Sequence, residues 1–310
     1  MKRIVISGAT GAIGMAMIQK CIEDSVEVIV LVRPDSPRNV QIPREPNVKI
    51  VECRLEDMHA FCNEQKIETI QKCDVFYHFA WAGTFGDSRN NMELQAKNIE
   101  YTLDAVELAH RLGCHTFIGA GSQAEYGRVE GKLSSTTPTN PENGYGIAKL
   151  CAGQMSRIRC HQLGVKHIWT RILSVYGPYD GSNTMVMSTI NKLLKGVMPH
   201  FTKAEQQWDY LYSDDVARVM VLLGNRGSDG QVYCIGSGQT KPLSEYIEVI
   251  RDIVSPEMTM RYGEIPYSPQ QVMYLCADIG ELKRDTGFEP QVMFEDGIRN
   301  TVEWIKNRKI

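Results

Sequence analysis

The sequence predicts an α/β fold: a doubly wound parallel sheet with helices on both faces, followed by a smaller C-terminal lobe. Three observations predict it. Short β-rich apolar runs alternate with helix-period segments through the first half of the chain. A glycine-spaced turn joins the first apolar run to the first helical segment. The pattern then loosens after about residue 177.

Strand candidates cover residues 3–6, 27–32, 48–51, 74–79, 116–119 and 166–173. After the first of these, Ile13, Met17 and Cys21 recur four apart with Ile18 and Ile22 beside them, the apolar face of a helix. Segments 91–112 and 146–163 repeat that period. Strands separated by helices imply a parallel sheet buried on both faces. Prolines at 34, 37, 43 and 46 mark an exposed loop rather than a linker. Beyond residue 177, a loop at 178–184 leads to a helix over 185–194, and an irregular stretch reaches Trp208. A strand-helix-strand set then runs to Ile235, and further helices are expected over 243–254 and 294–306.

Bulk composition excludes several classes. A chain of 310 residues with 43% hydrophobic and 23% charged residues is an ordinary globular protein. Its formal net charge of −3 gives no reason to expect nucleic acid or an anionic membrane as partner. The apolar run after Met1-Lys-Arg stops at Ser7-Gly8, too short for a secretory signal, and no stretch approaches the ~18 apolar residues of a membrane span. Nine cysteines include no Cys-x-x-Cys pair and sit mostly in apolar runs, as Cys53, Cys73 and Cys234 do. That pattern predicts buried thiols, no metal site and a reducing, cytoplasmic setting.

Gly8-Ala-Thr10-Gly11-Ala12-Ile13-Gly14 lies between the first strand and the first helix. Glycine lets the backbone turn sharply and approach a pyrophosphate, while the helix N-terminus offers unpaired N–H donors. This is a Rossmann-type dinucleotide loop, and residues 1–178 with 208–236 are expected to form the cofactor domain. Residues 179–207 and 237–310 would form the substrate-binding lobe. The second strand ends Leu31-Val32-Arg33, without the acid that accepts hydrogen bonds from the adenosine ribose of NAD. A guanidinium suits a 2′-phosphate instead, so NADP(H) is favoured and NAD(H) remains possible.

Tyr145-Gly-Ile-Ala-Lys149 opens a helical segment, and the i, i+4 spacing puts both side chains on one face. A tyrosine with a pKa near ~10 is a poor proton shuttle at neutral pH, and a neighbouring ammonium would draw that value down. Ser122 sits in a turn just beyond a strand end, where such sheets place their ligands and a hydroxyl can orient a carbonyl.

At this point the chain resembles the extended short-chain dehydrogenase/reductase family. The likeness runs in order through Gly8-x-x-Gly11-x-x-Gly14, His78-Phe-Ala80, Asn98 with Thr102, and Ser122…Tyr126-Gly127. It continues through Tyr145-x-x-x-Lys149, Arg171…Tyr176-Gly177-Pro178, Tyr210…Asp214-Asp215-Val216-Ala217 and Asp278…Gly287…Pro290. The resemblance implies Tyr145 as general acid/base and Lys149 as its electrostatic partner and a ligand of the nicotinamide ribose. Ser122 would hydrogen-bond the reacting oxygen, and Phe79, Ala80 and Trp81 would line the cofactor. Asn98 would either bind a water linked to Lys149 or brace its helix. Relatives also pair the helices near 91–112 and 146–163 across a two-fold axis, which implies a homodimer.

Departures from the family pattern narrow the substrate. Arg54 replaces the usual acid before Leu55, beside the adenine. Gln123 and Ala124 replace the acidic pair of the 4,6-dehydratases, leaving elimination without a catalyst. Ser174 and Trp208 replace an asparagine and an arginine used against substrate pyrophosphate. Trp81 and Trp208 are either pocket aromatics or core residues, Glu125 reads as a turn carboxylate, and His78 as a packed strand histidine. Residues 121–127 and 207–212 resemble the branch that reduces nucleotide-linked 4-keto-6-deoxy sugars, with Trp81, Gln123, Ser174, Asn183 and Trp208 toward the sugar. A nucleotide-sugar 4-epimerase retaining NAD, and a non-catalytic NADP-sensing regulator, are the alternatives.

Overall fold

The computed structural model describes residues 1–62, 67 and 70–308. The first half runs β1 (Arg3–Ser7), α1 (Ala12–Glu23), β2 (Glu27–Val32), β3 (Val48–Glu52), α2 (Met58–Phe61), β4 (Val75–His78), α3 (Met92–Arg111), β5 (Thr116–Ser122), α4 (Gly144–Leu163) and β6 (Lys166–Ile172). It continues as β7 (Ser174–Tyr176), α5 (Met185–Leu193), β8 (Gln207–Trp208), β9 (Tyr210–Tyr212), α6 (Ser213–Arg226), β10 (Val232–Ile235), β11 (Lys241–Pro242), α7 (Leu243–Val254), α8 (Gly280–Thr286) and α9 (Phe294–Asn307).

Seven strands form one sheet in the order β3-β2-β1-β4-β5-β6-β10, every pair parallel. Both faces are buried, and the two-residue period of a strand sorts the side chains between them. Ile4, Ile6, Val28, Val30 and Tyr77 pack against Met17 and Ile18 of α1 and Met220 and Leu223 of α6. Val5, Ile29, Leu31 and Phe76 face the other way, against Leu108 and Ala109 of α3 and Cys160 of α4. That is why the strands read as unbroken apolar runs rather than alternating ones.

Capping sets the ends of the helices that carry the site. Asn91 starts α3 by accepting from the Leu94 N–H, and Asn143 starts α4 by accepting from the Gly146 N–H. The latter moves the helix start to Gly144, two residues ahead of the expected 146. Gly164, in the left-handed region at φ 68°, ends α4.

The strand-helix-strand set before Ile235 returns to the main sheet through β10 alone. β9 pairs with β7 and β8 with β11, each outside the seven-stranded sheet. Tyr176, Tyr210 and Tyr212 pack around Phe294 of α9, and this aromatic cluster draws the short strands toward the second lobe. The lobe has its own core, with Val186, Ile190 and Leu193 of α5 against Ile247 and Ile250 of α7 and Ile298 and Val302 of α9. No disulfide joins the nine cysteines among the described residues; eight are buried and Cys151 is partly exposed. No helix among the described residues is long and apolar enough to cross a membrane.

Candidate active site

The connections leaving β1 diverge from those leaving β4, and the crevice between them opens at the carboxyl ends of the strands. Gly8 turns there at φ 76°, and a Cβ on it would lie 2.4 Å from the Ala80 amide nitrogen. A Cβ on Gly14 would lie 2.4 Å from Ala9, so glycine there seats α1 against the strand end. Above Gly11 the space is open, and no side chain caps the first turn of α1. Its N–H donors and positive dipole end therefore face the crevice. Ala12 begins that helix.

A cavity of about 530 Å³ runs from this turn along the ends of β2 and β3, lined by Gly8, Thr10, Arg33, Leu55 and Ala80 among others. Arg33 is exposed, and its guanidinium has no partner among the described residues. Arg54 lines the same cavity and pairs with Asp35 at 2.6 Å. Open space over Gly11, bare N–H groups and a cation at the end of β2 fit the adenosine diphosphate half of a dinucleotide.

A second cavity of about 500 Å³ lies between this crevice and the C-terminal lobe, lined by Ile13, Phe79, Ser122, Gln123, Tyr145, Lys149, Ser174 and Trp208. Trp81 lines both cavities and stands where they meet. The Ser122 hydroxyl and the Tyr145 phenol line the same cavity, and Ser122 acts to lower the phenol's pKa. Lys149 is buried beneath them, donating to the Ala120 carbonyl at 2.5 Å, with its Nζ 3.7 Å from the centre of the Trp81 ring. Burial pulls this ammonium down to about 7, opposed by the charge of Glu125.

The expected electrostatic pairing of Lys149 with Tyr145 takes a different form. Burial raises the Tyr145 phenol above its ordinary value, while the Ser122 hydroxyl and the charge of Arg89 pull it back. Lys149 Nζ lies 5.8 Å from the Tyr145 ring centre, whereas the Arg89 guanidinium sits 4.4 Å over it. Arg89 comes from the loop before α3, with no motif to announce it. Asp180 is a second unanticipated group, bonded to Thr184 and the Gly181 N–H and pushed up to about 6 by burial.

Other expected residues fall elsewhere. Asn98 is a brace: its amide accepts from the Ala82 N–H and donates to the Ala82 and Leu94 carbonyls, each within 3.0 Å, and it lines neither cavity. A buried amide two turns into α3 is the residue that can pair with that loop backbone. Asn183 is exposed and also outside the lining, although Asp180 and Thr184 beside it are part of it. Trp208 donates to the Ser174 hydroxyl at 2.8 Å, so the two polar positions satisfy each other. Glu125 is a turn carboxylate, as expected, in the 3₁₀ turn after β5. It is fully buried, because it completes a capping box with Ser122 and ion-pairs with Arg171. His78 is a buried strand residue bonded to Ser7 at 2.8 Å, and burial holds it down to about 3. Among the described residues no cluster could hold a metal ion.

Residues 4–236 match the model of a family described as "NAD dependent epimerase/dehydratase family". An uncharacterized UDP-glucose epimerase of Bacillus subtilis is 22% identical over 98% of this chain and 98% of its own. The structure of UDP-glucose 4-epimerase from Thermotoga maritima with UDP-glucose superposes with a TM-score of 0.87 at 25% identity, covering 99% of this chain and 100% of that one. A dTDP-glucose 4,6-dehydratase from Streptomyces venezuelae, with NAD bound, gives a TM-score of 0.86 at 21% identity over 99% and 98% of the two chains.

Proposed function

The chain belongs to the NAD dependent epimerase/dehydratase family, and from that premise we propose that it is an NAD(P)H-dependent reductase of a nucleotide-linked keto-deoxy sugar, with a 4-keto-6-deoxy sugar as substrate. One observation carries the reading: Ser122 and Tyr145 beside a buried Lys149, in a cavity that meets the dinucleotide crevice at Trp81. The bound nicotinamide cofactor would supply a hydride to the ketone carbon. The chain's own residues manage the oxygen and its proton. Ser122 holds the ketone oxygen, and Tyr145 gives it the phenolic proton. Arg89 over the ring and Lys149 beneath it stabilise the phenolate left behind. Lys149 keeps donors beyond its bond to Ala120 with which to hold the nicotinamide ribose.

Elimination is disfavoured, because Gln123 and the buried Ala124 offer neither acid nor base where a dehydratase needs both. Arg33, with no partner among the described residues at the end of β2, supports NADP(H). The second reading is a nucleotide-sugar 4-epimerase with retained NAD, favoured by the end-to-end likeness to the Thermotoga maritima enzyme. An apolar stripe left exposed on α4 further supports a homodimer.

Two measurements separate these readings. The absorbance spectrum of the purified protein reports retained cofactor, and NADPH oxidation is followed with nucleotide-linked 4-keto-6-deoxy sugars. Oxidation of NADPH by a protein free of bound NAD is the expected result. Tightly bound NAD together with interconversion of UDP-glucose and UDP-galactose would replace the reductase by the epimerase.

A further inference from the structure

Behind the site lies a buried charge that the proposed chemistry does not use. Glu125 is 0% exposed, and its carboxylate is shared by three donors from two strands, β5 and β6. Oε1 accepts the Ser122 N–H at 2.8 Å and the Trp169 indole N–H at 3.0 Å, and Oε2 accepts Arg171 Nε at 2.8 Å. The neighbourhood is shaped for this contact. A Cβ on Gly119, Gly121 or Gly153 would lie within 2.7 Å of the Trp169 ring system, so glycines of β5 and α4 leave the slot the indole fills. A Cβ on Gly121 would also lie 2.4 Å from Glu125 Oε1.

A buried carboxylate is costly unless it is fully bonded, and an apolar side chain would fill the same volume. What this one does is fix a backbone. The strand β5 ends at Ser122, and the following 3₁₀ turn holds Ser122 between its own hydroxyl bond to the Ala124 N–H and the Glu125 bond to its amide. We propose that Glu125, clamped by Trp169 and Arg171, is the positioning residue of this site, which aims the Ser122 hydroxyl at Tyr145 and sets a negative charge behind Lys149. The proposal rests on the reading of Ser122, Tyr145 and Lys149 given above.

The groups around Lys149 define its electrostatics. Tyr145 lies on its own helix, His78 faces it from β4, and Glu125 from the turn after β5; Arg171 stands beyond Glu125 and Arg89 beyond Tyr145. His78 stays neutral, so Glu125 supplies the negative charge that Lys149 feels. The ammonium is present below its pKa and is lost as pH rises. Without Glu125 the proton leaves at lower pH.

Glu125→Gln and Trp169→Phe test this. The first removes the charge, and the second removes one donor while leaving the ion pair with Arg171. NADPH affinity as a function of pH requires no sugar. In E125Q the alkaline limit of NADPH binding should fall by about half a pH unit or more, while in W169F it should stay in place. With a nucleotide-linked 4-keto-6-deoxy sugar, kcat should fall about tenfold or more in both variants while KM stays within about twofold. A folded E125Q with the wild-type pH limit, or a W169F with wild-type kcat, would overturn the proposal. Should E125Q not fold, the kcat of W169F decides. Should the wild type turn over no such sugar, the reductase reading falls, and the pH limit of NADPH binding still decides the role of Glu125.

Discussion

Tyr145 and Lys149 are joined less by contact than by the floor they share. Tyr145 meets Ser122 and Arg89, while Lys149 is tied to Ala120 and covered by Trp81. Tyr145→Phe should therefore leave cofactor affinity nearly intact and cut turnover by ~10²-fold or more; a variant keeping above about a tenth of wild-type kcat would remove Tyr145 from its role. Lys149→Met should weaken cofactor binding as well as turnover, because the same ammonium serves both. Arg33 makes a separate prediction. Its exposed guanidinium at the adenosine end should favour NADPH by about 1.5–3 kcal/mol, roughly tenfold or more. Arg33→Ala should erase that preference and hardly change NADH, and equal Kd values in the wild type would refute it. That these residues would line the crevice was legible in the sequence, because the proposed chemistry needs particular functional groups. Glu125 is the turn carboxylate expected, but its burial was not legible, because nothing in the local sequence announces Arg171 and Trp169 some 45 residues on.

Strands β4, β5 and β6 carry an aromatic ladder across one face of the sheet. His78 lies 6.0 Å from Phe117, Phe117 lies 6.1 Å from His167, and His167 lies 6.1 Å from Trp169, with planes within 30°. Burial holds His78 at about 3 and His167 at about 4, against an ordinary 6.5. Between those values and 6.5 the unfolded chain binds protons that the folded chain does not, so stability falls as pH drops below 6.5. At about 1.4 kcal/mol per unit, each histidine should cost about 2 kcal/mol on going to roughly pH 5. Urea midpoints at neutral pH and at roughly pH 5 should differ accordingly, and His167→Phe should remove part of the difference; an unchanged pH dependence in that variant would sink this account. The strands themselves were legible because six of the seven in the main sheet fall among the apolar runs of the first half. β9 opens the strand-helix-strand set expected before Ile235, whereas the two- and three-residue strands β7, β8 and β11 were not legible, since pairing that short leaves no period to read.

At the scale of the molecule, the face of α4 turned away from the sheet remains apolar. Ile147 and Ile158 are more than half exposed and Met155 is 43% exposed on that helix, with Met92 exposed at the start of α3. A second copy related by a two-fold axis would cover this stripe with its own α3 and α4. Light scattering at micromolar concentration should give twice the 35.0 kDa chain mass, and Ile158→Lys should halve it. A wild-type mass of one chain would end the dimer proposal.

By itself the sequence determined the doubly wound sheet, the glycine turn and the Ser122, Tyr145 and Lys149 set. Those follow from local rules: backbone sterics at glycine, side-chain periodicity, and the few groups able to move a proton. Only the tertiary structure decided that Asn98 braces a loop, that Trp208 and Ser174 bond to each other, that Arg89 faces Tyr145, and that Glu125 is buried at the centre of a clamp. Each of these depends on which long-range neighbour supplies the hydrogen-bond partner or the charge, and that is set by the packing of elements far apart in the chain.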